Sequence, residues 1–317
     1  MKQIDVFNGD ADGICALQQL RLAKPLKSTL VTGIKRDIKL LDRVEATDGD
    51  RVTVLDISLD KNRDALIRLL DSGVRITYFD HHFAGDIPDF PNLAAHIDTS
   101  ADTCTSLIVN HYLESAHILW AIAGAFGDNM HQAARDAAEE LPLSDEQMNN
   151  LQHLGECLNY NGYGLTLDDL HFNPDALFNA LALYVDPFAF IEESTEFKKL
   201  ADGYTEDIAH ARKVAPHLEE ERIAIYMLPD EPWARRVSGV YGNELARNQP
   251  DRAHALITEA DGFYRVSVRA PLSNKEHADT LCMQFPSGGG RKGAAGINEL
   301  PIAMFDDFIK AFTATYS

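Results

Sequence analysis

The chain has 317 residues, of which 29 are Lys or Arg and 49 are Asp or Glu, so its formal net charge is −20 with histidine neutral. This charge disfavours a protein that grips long nucleic acid through many phosphates, but it permits a small anionic ligand held by local positive charge or by bound metal. Four widely spaced cysteines indicate reduced thiols. With no signal-like N-terminus and no apolar run near ~18 residues, we expect a soluble, cytoplasmic protein with no membrane partner.

The first hundred residues alternate between short apolar runs and stretches of helical spacing. This alternation is typical of βαβ units and predicts a parallel sheet. The predicted strands are 3–7, 29–32, 51–57, 74–79 and 93–97, and the helices between them include 14–22 and 61–70. In such sheets, sites form beyond the carboxyl ends of the strands.

The rest of the chain is mostly helical before strands return. Helix is predicted over 105–125 and over most of 151–215, with loops at 159–164 and 171–174, and Ser144 opens a capping-box signature. Strands are predicted at 222–228, 253–259 and 263–270, the last two around an Asp261-Gly262 hairpin signal. We predict an α/β protein with a parallel-sheet domain and helical extension over 1–196, a linker over 197–221 and a smaller mixed α/β domain over 222–317.

Acids and histidines follow the predicted strands. They are Asp10 and Asp12 after the first strand, Asp56 in the third, Asp80, His81 and His82 after the fourth, and Asp128 after a helix. Taken singly, each is more often a turn or helix-cap residue. Taken together at one sheet edge, they favour a metal site, because clustered carboxylates need a counter-ion and these ligands suit Mn²⁺, Mg²⁺ or Fe²⁺.

The ordered set Asp-x-Asp, Asp, Asp-His-His and Asp resembles the DHH phosphoesterase family. Residues 266–269 and 288–296 resemble its DHH-associated C-terminal domain, whose signature is a glycine-rich loop, a basic residue and Ala-Ala-Gly. Both halves follow the family order, cover nearly the whole chain and are most similar to the two-domain, nanoRNase-like branch. No motif is assigned to the region 130–220.

The resemblance implies a centre of two metal ions, usually Mn²⁺. It assigns five residues to the metals: Asp10, Asp12, Asp56, His81 and Asp128. Asp56 would bridge both ions, Asp10 would bind one of them, and the remaining three would bind the other. The catalytic residues would be Asp80, which orients His81, and His82, which faces the substrate phosphate.

One position departs from the family pattern. Many members have a metal-binding His four residues before the first motif Asp, and this chain has Val6 there. The first ion is therefore expected to be held more loosely or completed by water or substrate. The nearby Asn8 would supply an oxygen ligand or, more simply, would be a turn residue. RecJ-type exonucleases share the Asp-x-Asp-Gly form, so the departure need not abolish activity.

The C-terminal motif predicts a phosphate-binding segment. Successive glycines let backbone N–H groups approach an anion, and adjacent basic side chains add charge. The residues concerned are Gly288, Gly289, Gly290, Arg291 and Lys292. Family members often have His in place of Arg291, and since Arg is a poor proton donor we assign it phosphate binding. Arg269 is either a second phosphate or base contact or a surface arginine at a strand edge.

Two further segments, 98–106 and 159–164, each have a functional and a structural interpretation. The hydroxyl-rich residues 98–106 would face the nucleotide, or Thr103 would simply be a helix N-cap. The aromatics of 159–164 would stack on a base, or the segment would be only a turn.

The sequence therefore predicts a metal-dependent phosphodiesterase, an oligoribonuclease of very short substrates. It would favour 5′-phosphorylated dinucleotides, including linear dinucleotides from cyclic-dinucleotide turnover, bound in a cleft between the domains. The alternatives are a 3′-phosphoadenosine 5′-phosphate phosphatase, a cyclic-dinucleotide phosphodiesterase, a polyphosphatase and a RecJ-like exonuclease. The non-enzyme alternative is a nucleotide-binding sensor. A pure interaction protein is disfavoured because it would leave the ordered carboxylates unexplained. The sequence leaves open whether the protein is a homodimer.

Overall fold

The computed structural model describes residues 1–260 and 262–316 and contains two compact units, Met1–Asp202 and Gly203–Ser317. The division falls within a helix, Thr195–Ala211, so the segment predicted as a linker is helical over much of its length. Within the described residues, no helix combines the length and apolar character needed to cross a membrane.

Among the described residues, the first unit contains a parallel five-stranded sheet, eight α-helices and the first part of a ninth, which continues into the second unit. The strands are β1 (Gln3–Phe7), β2 (Thr29–Val31), β3 (Arg51–Leu55), β4 (Arg75–Asp80) and β5 (Leu93–Ile97). The helices are α1 (Ala11–Ala23), α2 (Arg63–Asp71), α3 (Thr105–Tyr112), α4 (Ile118–Gly127), α5 (His131–Ala138), α6 (Asp145–Gly162), α7 (Pro174–Leu181), α8 (Pro187–Glu193) and α9 (Thr195–Ala211). The predicted parallel α/β architecture is confirmed.

The strand order β2-β1-β3-β4-β5 brings three strand ends together at one edge. Phe7 at the end of β1 lies opposite Leu55 of β3, and Leu55 lies opposite Phe79 of β4. The residues that follow these three strands therefore emerge at the same level. Alternate apolar side chains of the strands, such as Val6 and Val54, are buried in a core shared with Leu66 of α2.

Close helix packing carries α4 to the same edge. A Cβ on Gly127 at the end of α4 would lie 2.2 Å from the Cβ of Ala11 in α1 and 2.7 Å from the carbonyl oxygen of Gly155 in α6. Only glycine permits this approach, and it places Asp128, the next residue, beside the start of α1.

The segment predicted to be helical over 105–125 forms two helices, α3 and α4, with a break at 113–117. One local prediction is wrong. The loop predicted at 159–164 is mostly the buried last turn of α6. There the Asn161 side chain donates to the carbonyl oxygen of Phe172 at 2.8 Å and accepts from its N–H at 3.1 Å. Asparagine favours turns, but here its buried side chain can lie in a helix because the backbone of Phe172 satisfies its hydrogen bonds. The predicted capping box at Ser144 is confirmed.

The second unit has one mixed sheet of six strands. They are β6 (Leu218–Glu219), β7 (Ile223–Leu228), β8 (Ala253–Ala260), β9 (Phe263–Arg269), β10 (Gly288–Arg291) and β11 (Ala294–Pro301), in the order β10-β11-β9-β8-β7-β6. The helices are α10 (Pro232–Asn248), α11 (Ala278–Cys282) and α12 (Phe305–Tyr316). The predicted pairing of β8 with β9 is confirmed, although Asp261 of its turn lies outside the described residues.

Candidate metal centre

Every metal-binding or catalytic residue predicted for the first unit lies at the sheet edge described above. Asp10 and Asp12 follow β1, Asp56 follows β3, and Asp80 ends β4 directly before His81 and His82. The four aspartates are at most 2% exposed and His81 is 6% exposed. Such burial of charged groups is costly unless they are paired or coordinate a cation.

Asp12 is fixed by the start of α3. Its Oδ2 accepts from the N–H of Thr105 at 2.8 Å, and its Oδ1 accepts from the N–H of Ser106 at 2.7 Å. The positive end of the helix dipole stabilises this carboxylate. The predicted N-cap at Thr103 is therefore wrong, because the N-cap position is Cys104 and the distant Asp12 binds the first amides.

Hydroxyl groups at the start of α3 donate hydrogen bonds to the carboxylates of the centre. Both Thr105 and Ser106 are fully buried. Thr105 donates its Oγ1–H to Oδ1 of Asp56 at 3.1 Å, and Ser106 donates its hydroxyl to Asp12. These two residues of 98–106 thus fix the acids of the centre.

The ring of His81 has a defined tautomer. Its Nδ1 lies 3.0 Å from the carbonyl oxygen of Thr103, an acceptor only, so Nδ1 carries the proton. Its Nε2 lies 4.0 Å from Oδ2 of Asp12, 3.5 Å from Oδ1 of Asp56 and 3.7 Å from Oδ2 of Asp128. These distances exceed the usual ~3.2 Å limit of an N–H···O hydrogen bond. Because Nδ1 is engaged by Thr103, Nε2 is the ring nitrogen available to a metal ion, and with the three carboxylates it forms the donor set of a metal site.

The electrostatics also favour a bound cation. Burial raises the pKa of the Asp56 carboxyl well above its usual value, and repulsion from four carboxylates adds to the effect: Asp10, Asp12, Asp128 and Asp80. Within residues 1–260 and 262–316, Oδ2 of Asp80 and Oδ2 of Asp128 are buried without a hydrogen-bond partner. The residues present therefore fit a divalent ion, which would compensate the repulsion.

Among residues 1–260 and 262–316, two groups of side chains each place their ligand atoms within 4.8 Å of one another. One contains Asp12, His81 and Asp128, and the other contains Asp56, His81 and His82. Asp10, a predicted metal ligand, is in neither group.

Asp80 and His82 form a pair that the sequence did not predict. Oδ1 of Asp80 lies 2.7 Å from Nδ1 of His82. The expectation that Asp80 orients His81 is therefore wrong, because the Thr103 carbonyl takes that role. The two histidine rings contact each other, with centroids 4.5 Å apart, but their Nδ1 atoms meet different partners.

Lys35 is a residue of the site that the sequence analysis missed. It follows β2, and its ammonium contacts Oδ2 of Asp10, Oδ1 of Asn159 at 2.9 Å and Oδ1 of Asp128 at 3.7 Å. Burial lowers the pKa of Lys35, but the charges of Asp10, Tyr163 and Asp128 and the hydrogen bond to Asp10 together outweigh burial and hold the pKa well above its usual value. The position after a strand of the sheet was the one signal that could have found it.

Val6 and Asn8 have structural roles. Val6 is fully buried in the aliphatic core of the sheet. Asn8 donates its Nδ2–H to the carbonyl oxygen of Lys35 at 3.3 Å, and its Oδ1 is buried without a hydrogen-bond partner among the described residues.

The predicted phosphate-binding residues lie in the second unit. The prediction that this segment is a loop is wrong. It forms strand β10, which pairs with β11 and contains Gly288, Gly289, Gly290 and Arg291. Gly290 has φ +145°, and a Cβ there would lie 2.4 Å from the Cα of Ala295. A glycine-rich sequence predicts a loop, but here the pairing with β11 makes the segment a strand. Arg291 is exposed, and the exposed Lys292 forms an ion pair with Glu276 at 3.1 Å.

Arg269 is a partly buried residue bound within its own unit. It donates from Nε to Oδ1 of Asn243 at 2.6 Å and from Nη1 to Oγ of Ser267 at 3.0 Å. It also donates from Nη2 to the carbonyl oxygen of Gly239 at 3.3 Å. The alternative of a plain surface arginine is therefore wrong, and a role in substrate contact stays a prediction.

No family model and no curated protein sequence matches the chain. Solved structures do match. The Mn²⁺ complex of RecJ from Thermus thermophilus has a TM-score of 0.63 at 19% identity, with 99% of this chain and 52% of that chain covered, so this chain spans about half of that one. The pGpG-specific phosphodiesterase PggH from Vibrio cholerae has a TM-score of 0.60 at 13% identity, with 99% and 98% covered.

An exopolyphosphatase-related protein from Bacteroides fragilis is also similar. Its TM-score is 0.54 at 14% identity, with 99% of this chain and 91% of that chain covered. The three matches extend over both units of the chain. The chain therefore has the fold of these proteins, which confirms the fold implied by its resemblance to the DHH phosphoesterases.

Proposed function

We propose that the protein is a divalent-metal-dependent phosphodiesterase that acts on small nucleotides. The observation that carries this proposal is the approach of Nε2 of His81 to three carboxylates, those of the buried Asp12 and Asp56 and of the partly buried Asp128. These residues would hold the ion: Asp12, Asp56, His81 and Asp128. When bound, a divalent ion activates water and neutralises charge on phosphoryl oxygens.

The neighbouring pair suits proton transfer or phosphate binding. Asp80 is fully buried, whereas the His82 side chain is 36% exposed, so the carboxylate anchors a ring that a ligand can reach. With its Nδ1–H held by Asp80, His82 can exchange a proton at Nε2 or, as an imidazolium, donate to a phosphate oxygen. We assign it this substrate-facing role.

The favoured substrate is a very short oligoribonucleotide, above all a 5′-phosphorylated dinucleotide. The net charge of −20 supports a short substrate over a long one. The fold shared with a pGpG-specific phosphodiesterase supports the same class. Arg269, Arg291 and the glycines of β10 are proposed as contacts for the substrate's terminal phosphate. The fold shared with the exonuclease RecJ makes an exonuclease the second candidate.

The test is a Mn²⁺-dependent turnover panel. Substrates are 5′-phosphorylated dinucleotides of different bases, single-stranded RNA and DNA of 20 or more nucleotides, cyclic dinucleotides, 3′-phosphoadenosine 5′-phosphate and polyphosphate. We expect the dinucleotides to be cleaved fastest and His81→Ala to abolish cleavage. His111→Ala, at an exposed histidine of α3, is the matched control and keeps full activity.

Each other outcome has a definite meaning. Faster degradation of long single strands than of dinucleotides would replace the proposal by an exonuclease. Tight binding of nucleotides without turnover of any of these compounds would replace it by a nucleotide sensor.

A further inference from the structure

A fixed positive charge already occupies one side of the carboxylate cluster. The Lys35 ammonium contacts carboxylate oxygens of Asp10 and Asp128 and the amide oxygen of Asn159. An ammonium group offers three donors, and three protein oxygens surround this one. The arrangement is that of a cation in an oxygen-lined site.

The backbone of Lys35 is anchored on both sides. Its N–H donates to the carbonyl oxygen of Gly162 at 2.9 Å, and its carbonyl oxygen accepts from Nδ2 of Asn8 at 3.3 Å. The ring centroid of Tyr163 lies 5.5 Å from the ammonium, which adds a cation–π contact. The side chain is only 23% exposed. Lys35 is therefore held in place at the centre by the surrounding structure and is not a mobile surface lysine.

Asp10 has little capacity left for a metal ion. Its Oδ1 accepts from the N–H groups of Asp12 at 3.1 Å and Gly13 at 3.2 Å, because Asp10 is the N-cap of α1. Its Oδ2 is bound by Lys35. A divalent ion at Asp10 would also be repelled by the adjacent ammonium. These contacts explain why Asp10 joins neither of the two groups of converging ligand atoms.

We propose that the Lys35 ammonium permanently takes the place of a second metal ion at Asp10. The centre then binds one divalent ion, through Asp12, Asp56, His81 and Asp128, instead of the two expected from the sequence. This inference rests on the metal dependence in the proposed function. It makes Lys35 a positioning residue, since it holds Asp10 and Asp128 through charge and hydrogen bonds.

The experiment counts Mn²⁺ ions bound to the full-length chain by equilibrium dialysis and isothermal titration calorimetry. A bound ion is assigned to the centre if the His81→Ala or the Asp10→Asn substitution abolishes its binding. This criterion separates ions at the centre from ions bound weakly to the acidic surface. We expect one such ion in the wild type and two in Lys35→Met, because removing the ammonium frees Asp10 and its neighbouring oxygens. The second ion should disappear in the double variant Lys35→Met with Asp10→Asn.

Two controls isolate the charge of Lys35. Lys39→Met removes an exposed lysine four residues away and should still bind one ion. Lys35→Arg keeps the positive charge and should also bind one ion. Circular dichroism and thermal unfolding show whether each variant is folded, and the wild-type count decides the question even if Lys35→Met fails to fold.

The outcomes separate this inference from the proposed function. Two ions at the centre of the wild type, or a single ion in folded Lys35→Met, would overturn the inference while leaving metal-dependent activity in place. No ion at the centre of the wild type would overturn both. One peak in an anomalous difference map at the manganese edge, beside a retained Lys35–Asp10 contact, would support the inference directly.

Discussion

Nδ1 of His82 lies 2.7 Å from a carboxylate oxygen of Asp80, whereas Nδ1 of the adjacent His81 lies 3.0 Å from the carbonyl oxygen of Thr103. Two neighbouring histidines are thus oriented by different partners. A neutral carbonyl fixes the buried ring that faces the carboxylates, and a carboxylate fixes the more exposed ring. The first arrangement suits a metal ligand and the second suits a proton donor or phosphate contact.

Asp80→Asn should separate these two roles. Because Asp80 contacts His82 and not His81, we expect kcat to fall by about 100-fold while Mn²⁺ affinity stays within about threefold of wild type. Steady-state kinetics and a Mn²⁺ titration measure the two effects. A large loss of Mn²⁺ affinity at unchanged kcat would show that Asp80 acts on the metal ligands instead.

Thr105→Val should weaken metal binding. The substitution keeps the shape of the side chain but removes the hydroxyl that donates to Oδ1 of Asp56. Loss of such support typically costs about 10-fold in metal affinity. The matched control is Thr103→Val, because Thr103 supports His81 through its backbone carbonyl, which the substitution keeps. Equal Mn²⁺ affinities for the two variants in calorimetric titrations would contradict the prediction.

Arg291→Ala should weaken substrate binding without destabilising the fold. Arg291 is exposed on β10, so its removal disturbs no core packing. If it contacts the terminal phosphate, KM for a 5′-phosphorylated dinucleotide should rise about 10-fold, and KM for the unphosphorylated form should not change. Arg222→Ala, at an exposed arginine of the same unit, is the control and should alter neither value. Equal effects on both substrates would remove Arg291 from phosphate recognition.

Gly127→Ala should destabilise the first unit. The new Cβ would meet both α1 and α6 at distances that no side chain adopts, so the helices must separate. Overpacking of this kind costs about 1–3 kcal/mol. Gly242→Ala in α10 is the contrast, because its Cβ would meet nothing closer than 3.5 Å and alanine favours helix by about 1 kcal/mol. Thermal unfolding should therefore move in opposite directions for the two variants.

His254 should make stability depend on pH. Burial, and then the charge of Arg252, lower the pKa of His254 from 6.5 to about 4. Below about pH 6.5 the unfolded chain takes up a proton that the folded chain refuses, so this stability is present above pH 6.5 and is lost as pH falls towards 4. At pH 5 the loss is about 2 kcal/mol.

His254→Leu should remove this contribution. The measurement is the thermal unfolding temperature at pH 8 and pH 5 for the wild type and the variant. We expect the variant to lose less stability than the wild type on acidification. An identical drop in both proteins would show that His254 titrates normally.

The sequence by itself determined the parallel sheet, the hairpin of β8 and β9 and the positions of the six acids and histidines that follow or end strands of the sheet. These features depend on local patterns. Apolar runs at strand spacing fix the strands, and the register of parallel strands brings the residues that follow them to one edge. Asp10, Asp12, Asp56 and the His81-His82 pair were therefore readable without a structure.

Only the tertiary structure decided which partner each of these residues meets. Thr103 orients His81 across 22 positions of the chain, and Asn159 binds Lys35 across 124. No local pattern encodes such contacts, because they arise from the strand order and from the close approach of helices at Gly127. For the same reason β10 became a strand despite its glycines: the hydrogen bonds of β11 outweighed their weak intrinsic preference for extended structure.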